Sequence, residues 1–357
     1  DIRHMAESDE YRPGHRPANN TDHEAAMKGF HCACGQRVFF ENTACLNCGR
    51  QLGFDAERLD LVPLDIRDAI ATDQQGRAYR YCANQAQYDN CNWILPADHP
   101  ESLCLSCGMN KVIPALSNPR NLELWTRVEE AKRRLIYALL KNGLPFEANG
   151  NRLNFKIMED QRRNPDVLES FIATGHLHGT ITINVAEADD AERHAIREQM
   201  QERYRTVLGH LRHEAGHFYF GALVGEESLE ECRALFGDER EDYESALASY
   251  YENGPAGHWH EHFVSAYASA HPAEDFAETF AHVLHIDDGL ETARWHGLTP
   301  QGTPESGEAW IDEWMRLSVT LNEILRSLGS ADPYPFVLTY AVRRKLAFVN
   351  RLLNRQA

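Results

Sequence analysis

Eight of the nine cysteines lie between Cys32 and Cys107, and no other feature restricts the possible folds as strongly. The first four read Cys32-Ala-Cys34, ten residues, then Cys45-Leu-Asn-Cys48-Gly49. Two short-spaced pairs at that separation can set four thiolates tetrahedrally around one zinc ion. Gly35 and Gly49 follow the pairs, where the turn of a zinc knuckle calls for positive φ. The second four are Cys82, Cys91, Cys104 and Cys107-Gly108. Only the last pair is a regular CxxC; eight residues separate Cys82 from Cys91, so a loop through Tyr88–Asn90 must bring them together. Four clustered thiols with no other evident role predict a second zinc site. The spacing is compatible with two consecutive sites or with a cross-braced pair that interleaves its ligands. Cys232 stands alone and reads as a small buried apolar residue.

Around these groups, Val38–Phe40 and Ala78–Cys82 suit the hairpins of zinc ribbons, and metal supplies folding energy that so small a core lacks. Ribbons often contact nucleic acid, which demands a basic footprint. From Phe30 to Pro119 there are ten acidic residues against seven basic ones, and the 357-residue chain carries 54 against 36. The prediction is a ribbon module over residues 29–118 that is structural or holds a protein partner, with no nucleic acid. Hydrophobic residues at 43% and charged residues at 25% exclude a disordered or collagen-like chain. No apolar run approaches the roughly 18 residues of a bilayer span, so no membrane contact is expected. Asp1–His4 ahead of Met5 reads as a tag remnant, and the polar stretch Met5–Lys28 as disordered. That stretch lacks the apolar region of a secretory signal, which predicts a reducing cytoplasm where clustered thiols bind metal.

After Pro119 the pattern turns helical. Leu122, Leu124, Val128, Ala131, Leu135, Ala138 and Leu139 recur near a 3.6 period and stop at Asn142-Gly143. Arg152–Met158 and Thr180–Val185 alternate as half-buried strands do. Asp189–Val224, Glu239–Tyr251, Ala273–His285, Glu308–Leu328 and Pro335–Leu353 are helix candidates. Residues 119–357 therefore read as a mainly α-helical domain with a small sheet, in an α+β, multi-domain chain. Gly225–Glu244 holds nine acidic residues against two arginines and reads as a solvated acidic face.

His213-Glu214-Ala215-Gly216-His217 is an HExxH motif. On a helix, positions four apart share a face, so both imidazoles can reach one metal, with Glu214 beside them as general base. A catalytic zinc takes three protein ligands and leaves one position open. Glu274, Asp275 and Glu278 are the candidates for the third. Asp275 is rotated about 100° from Glu274, and Glu278 lies one turn further along, so helix geometry favours Glu274. The absence of HExxHxxGxxH excludes the metzincin pattern.

His213–His217 followed by Glu274-Asp-Phe-Ala-Glu278-Thr-Phe resembles the gluzincin layout of lethal-factor-like zincin peptidases. The resemblance implies that Glu274 binds zinc and Glu278 supports it. It also implies an oxyanion-stabilising tyrosine seven residues before the ligand glutamate, where Tyr267 stands; Tyr250, Tyr251, His258 and His260 are rivals. From about Phe30 onward the chain is similar to a bacterial family of zinc-binding metallopeptidases with an N-terminal zinc ribbon. The segments that carry the likeness are Phe30–Cys48, Tyr81–Pro114, Gly179–Asp190, Tyr204–Phe220 and Phe263–Ile286.

The expectation is a cytoplasmic peptidase with three zinc ions, one catalytic and two structural, acting on a protein or peptide. Its alternatives are an adaptor with a silent HExxH domain and a zinc-dependent amidase of non-peptide substrates.

Overall fold

The computed structural model describes residues 29–355 apart from 68–69, 163, 165–166, 168, 170–171, 173, 200–201, 203, 301 and 303–305. The expected tag remnant and polar stretch lie outside the described residues. Strands β1 (Phe30–His31) and β2 (Arg37–Val38) pair antiparallel, and the turn between them carries Cys32, Cys34 and Gly35. Next, β3 (Gln51–Asp55), β4 (Asp60–Arg67), β5 (Ile70–Thr72), β6 (Ala78–Tyr81) and β7 (Trp93–Pro96) close into a barrel. Of the expected short hairpins, the one at Val38 stays a separate two-stranded ribbon with β1, whereas the one at Ala78–Cys82 is part of the closed barrel. The reason is β4, whose eight residues pair with β3 at one end and β5 at the other. Parallel pairing of β3 with β7 then closes the ring around Val62, Leu64, Ala71, Tyr79 and Ile94.

Between β6 and β7, a short helix α1 (Ala83–Tyr88) fills most of the spacing ahead of the expected loop. It ends at Asp89, whose φ of 52° turns the chain back so that Cys91 meets Cys82. The knuckle turn α2 (Leu105–Gly108) leads into β8 (Asn110–Val112). Asn118 accepts from the Arg120 amide and Pro119 takes the first position of α3 (Pro119–Lys141), a typical helix start. A small hairpin, β9 (Glu147–Ala148) and β10 (Asn151–Arg152), precedes β11 (Asn154–Met158), β12 (Gly175–Leu177) and β13 (Thr180–Asn184). The second sheet runs β12-β13-β11-β8, with β11 parallel to both β13 and β8. Its last strand therefore comes from the cysteine-rich half.

The stretch expected as one helix from Asp189 is two, α4 (Asp190–Gln199) and α5 (Val207–Leu223). Thr206 adopts extended backbone and its hydroxyl accepts from the Gly209 amide, which starts a new helix there. Then follow α6 (Glu226–Phe236), α7 (Tyr243–Asn253), the one-turn α8 (Trp259–His262) and a 3-10 turn at Tyr267–Ser269. The long α9 (Pro272–Trp295), α10 (Gly307–Ser327) and α11 (Tyr340–Asn354) complete the chain. The caps Asp242 and Thr339 start α7 and α11 later than periodicity indicated. One apolar cluster runs from Cys82 and Cys104 through Trp125 and Leu135 of α3 to Leu211 of α5 and Phe280 of α9. Cys232 is buried on α6, and burial pushes its thiol up to about 12. No helix among the described residues is long and apolar enough to cross a membrane.

His285 of α9 packs edge-on to Trp314 and Tyr334 at 5.5 and 5.2 Å. Burial pushes it down to about 3, and the neighbouring His282 to about 4. In an unfolded chain a histidine titrates near 6.5, so below that pH the unfolded state binds more protons. Stability should therefore fall as pH drops from 6.5 toward 4, by about 1.4 kcal/mol per pH unit for each such histidine. Urea midpoints between pH 7 and 5 test this. His285→Phe should give a shallower decline than wild type; equal slopes count against it.

Candidate metal centre

Two helices present the HExxH residues and the carboxylates. His271 caps α9: its Nδ1 accepts from the Ala273 amide at 3.0 Å, and its Nε2 donates to the Glu241 carbonyl at 3.1 Å. Glu274 thus sits in the first turn, where the helix dipole favours an anion. Helix α5 crosses α9 with Gly216 against Ala277. A Cβ at Gly216 would lie 2.7 Å from the Ala277 Cα, so only glycine permits this approach. That closeness brings His213 and His217 to Glu274.

The three donor atoms form a triangle. His213 Nε2 lies 3.3 Å from His217 Nε2, and Glu274 Oε2 lies 3.0 and 3.5 Å from the two nitrogens. Tetrahedral zinc with N and O ligands at about 2.0–2.1 Å has ligand–ligand edges of about 3.3 Å, so the triangle matches one face of such a site. Glu274 is 1% exposed, and among the described residues its Oε2 accepts no hydrogen bond. A buried carboxylate oxygen facing two imidazole nitrogens, with no donor of its own, has the chemistry of a cation site. The electrostatics agree. Burial disfavours charge on Glu274, yet the facing imidazoles hold its carboxyl well below the usual carboxylate range. The carboxylates of Glu274 and Glu278 raise His213 well above the usual imidazole range against its burial.

The neighbouring carboxylates point elsewhere. Glu278 Oε1 accepts from His213 Nδ1 at 2.7 Å, which leaves Nε2 free toward the centre. Asp275 pairs with Lys345 of α11 at 2.5 Å. Burial raises the Asp275 carboxyl to about 7 although Lys345 pulls it down. Tyr243, not among the residues expected at the centre, donates to Glu274 Oε1 at 2.5 Å.

Behind Glu214 lies a second imidazole–carboxylate pair, also missed from sequence. His210 Nδ1 meets Glu187 Oε2 at 2.5 Å, and His210 Nε2 lies 3.4 Å from Glu214 Oε1. Despite burial, Glu187 raises His210 to about 9. His176 of β12 stacks on His217 with centroids 6.4 Å apart, and its Nε2 accepts from the Gly179 amide at 3.0 Å. Tyr267 is beside the centre, its ring 5.9 Å from that of His213. Of its rivals, Tyr250 packs on Tyr267 at 5.8 Å, Tyr251 is 62% exposed, and His258 and His260 are exposed on α8 or its cap.

The cysteines form two consecutive groups of four, Cys32, Cys34, Cys45 and Cys48, then Cys82, Cys91, Cys104 and Cys107. Sγ–Sγ distances are 3.5 Å for Cys32–Cys48 and 3.7 Å for Cys34–Cys45 and Cys91–Cys104. Disulfides need about 2.0 Å, whereas four thiolates at about 2.3 Å from zinc stand about 3.8 Å apart. Gly35 and Gly49, at φ 83° and 75°, close the first pair of knuckles, their amides donating to the Cys32 and Cys45 carbonyls. Asn47 donates to Cys34, which lowers that thiol to about 6. The first group has two exposed members and the second is wholly buried.

A mixed α+β chain with two four-cysteine clusters and a His/His/Glu triangle defines a class, zinc-binding proteins of the metallopeptidase type. Residues 121–352 match the family described as "putative zinc-binding metallo-peptidase", and residues 29–118 match a zinc-ribbon domain. Uncharacterized proteins of Mycobacterium bovis and Mycobacterium tuberculosis are each 41% identical over 346 residues, spanning 93% of this chain and 96% of theirs. The chain belongs to this zinc-binding metallopeptidase family, with a zinc ribbon N-terminal to the peptidase region. No solved structure matches it.

Proposed function

We propose that this protein is a zinc-dependent peptidase whose centre is His213, His217 and Glu274. The convergence of three donor atoms at tetrahedral spacing, beside the carboxylate of Glu214, carries the reading. His213, His217 and Glu274 would hold the zinc ion, which would supply Lewis acidity to polarise a substrate carbonyl and acidify water at the centre. Glu214 takes a proton from the attacking water on its carboxylate and later gives it to the leaving amine. His210, held by Glu187, lies against Glu214 Oε1 and so fixes the carboxylate for that transfer. Glu278 sets the tautomer of His213, and Tyr243 occupies Glu274 Oε1 so that Oε2 turns to the centre. Tyr267, beside His213, donates a hydrogen bond from its phenol to the developing oxyanion.

A peptide fits better than a small amide because of β12. Among the described residues this strand pairs only with β13, so its other edge is open for an extended chain. His176 on β12 stacks against His217, which sets that edge beside the centre. The test is cleavage profiling of a host proteome by termini sequencing. New termini that require zinc support the reading, and their absence with a fully metallated protein defeats it.

Glu274→Ala should lose most zinc from this centre, whereas Glu278→Ala should keep it with affinity lowered about 10–100-fold, as for other outer hydrogen-bond partners. Elemental analysis against a graded zinc buffer distinguishes them. Equal loss in both variants counts against Glu274 as the ligand.

A further inference from the structure

One group of metal-type side chains plays no part in that centre. We infer that His258, His260 and Glu261 form a surface site for a borderline divalent cation, with zinc the first expectation. His258 Nδ1 lies 3.4 Å from Glu261 Oε1, His260 Nε2 lies 4.0 Å from the same oxygen, and the three donor atoms are within 4.8 Å of one another.

The backbone accounts for the convergence. His258 is the cap of α8 and holds φ 56°, ψ 27°, a left-handed conformation few side chains adopt. In it, the imidazole comes to Glu261 three residues on. The surrounding chain is pinned at both ends. The Ala256 amide donates to Ser269 Oγ at 3.2 Å, Thr339 Oγ1 to the Glu261 carbonyl at 2.9 Å, and Lys345 Nζ to the His262 carbonyl at 2.8 Å. So the main chain is fixed while the three side chains are 57–80% exposed and free to close onto an ion.

Their partners support the assignment. Among the described residues, the ion pairs of Glu261 are with these two histidines, and no lysine or arginine pairs with it. Two imidazoles and one carboxylate are a donor set for zinc, nickel or copper, while calcium and magnesium prefer all-oxygen shells. Three protein ligands leave a fourth position to water. The site shares no ligand with the His213 centre or the cysteine groups, and it does not depend on peptidase activity.

The test is zinc titration by calorimetry on the full chain, first equilibrated at nanomolar buffered zinc so that tighter sites are filled. Wild type should take up one further equivalent in the micromolar range. H258N/H260Q should lose it, the asparagine being chosen because it tolerates the left-handed backbone. E261Q should weaken binding roughly tenfold or more, the equivalent of about 1.4 kcal/mol. H262A, which alters a histidine outside the group, should titrate as wild type. Identical titrations for wild type and H258N/H260Q, with both melting alike, or no further equivalent in wild type, overturn the assignment.

Discussion

Glu214→Gln should retain the fold and its zinc while losing about 10²–10⁴-fold in kcat, the contribution of a general base. The amide cannot take the proton of the attacking water, yet it fills the same volume at a site 4% exposed. Its carbonyl can still accept from His210 Nε2, so the packing of α5 should survive. The measurement is kcat and KM on a peptide drawn from cleavage profiling, with zinc content determined on the same sample. A variant with more than about a tenth of wild-type turnover would remove Glu214 from that role. His213→Ala, by contrast, should lose metal and turnover together, because it deletes a corner of the triangle and leaves the half-buried Glu278 carboxylate without its imidazole donor.

Cys107→Ser should have the largest effect on stability. All four thiols of its group are buried, and the group joins the apolar cluster that contains α3 and α5. Binding of a structural zinc is worth about 10–16 kcal/mol, as much as the whole stability of a typical domain at about 5–15 kcal/mol. Losing one ligand leaves three thiols and the buried Ser106 without the ion that organises them. We expect little soluble protein and no cooperative melt at 25 °C and above. Cys48→Ser, on the exposed side of the first group, should be milder. A Cys107→Ser protein that melts as wild type and carries the same zinc would show that this group is not a structural metal site.

What the sequence reveals tracks how local each signal is. CxC and CxxC pairs and HExxH are contained within a few residues, so their chemistry is readable without a fold. Glu274 was separable from Asp275 by helix phase alone, and Asp275 faces Lys345. Tyr243 and Glu187 reach the centre from elements 31 and 23 residues away from their partners, and no periodicity encodes such meetings. His210 was within reach of sequence reasoning, since it stands four residues before Glu214 on one helix face. The barrel was hidden for another reason. Its closure depends on the parallel β3–β7 pair, a contact between strands separated by three others.

The strand β8 bears on how such a protein can be assembled in evolution. It lies in the segment matched to the zinc ribbon, yet it pairs with β11, and the Phe155 amide of β11 donates to the carbonyl of Met109, just before β8, at 2.9 Å. Asn110 on the same strand donates to Glu129, which forms with Lys132 a fully buried ion pair on α3. A recombination event at residues 118–119 would leave an incoming partner with an unpaired sheet edge and a charged pair missing its neighbour. Such a graft carries a cost of several kcal/mol before any new contact forms. Genes of this kind are therefore expected to travel whole, with ribbon and peptidase inherited as one piece.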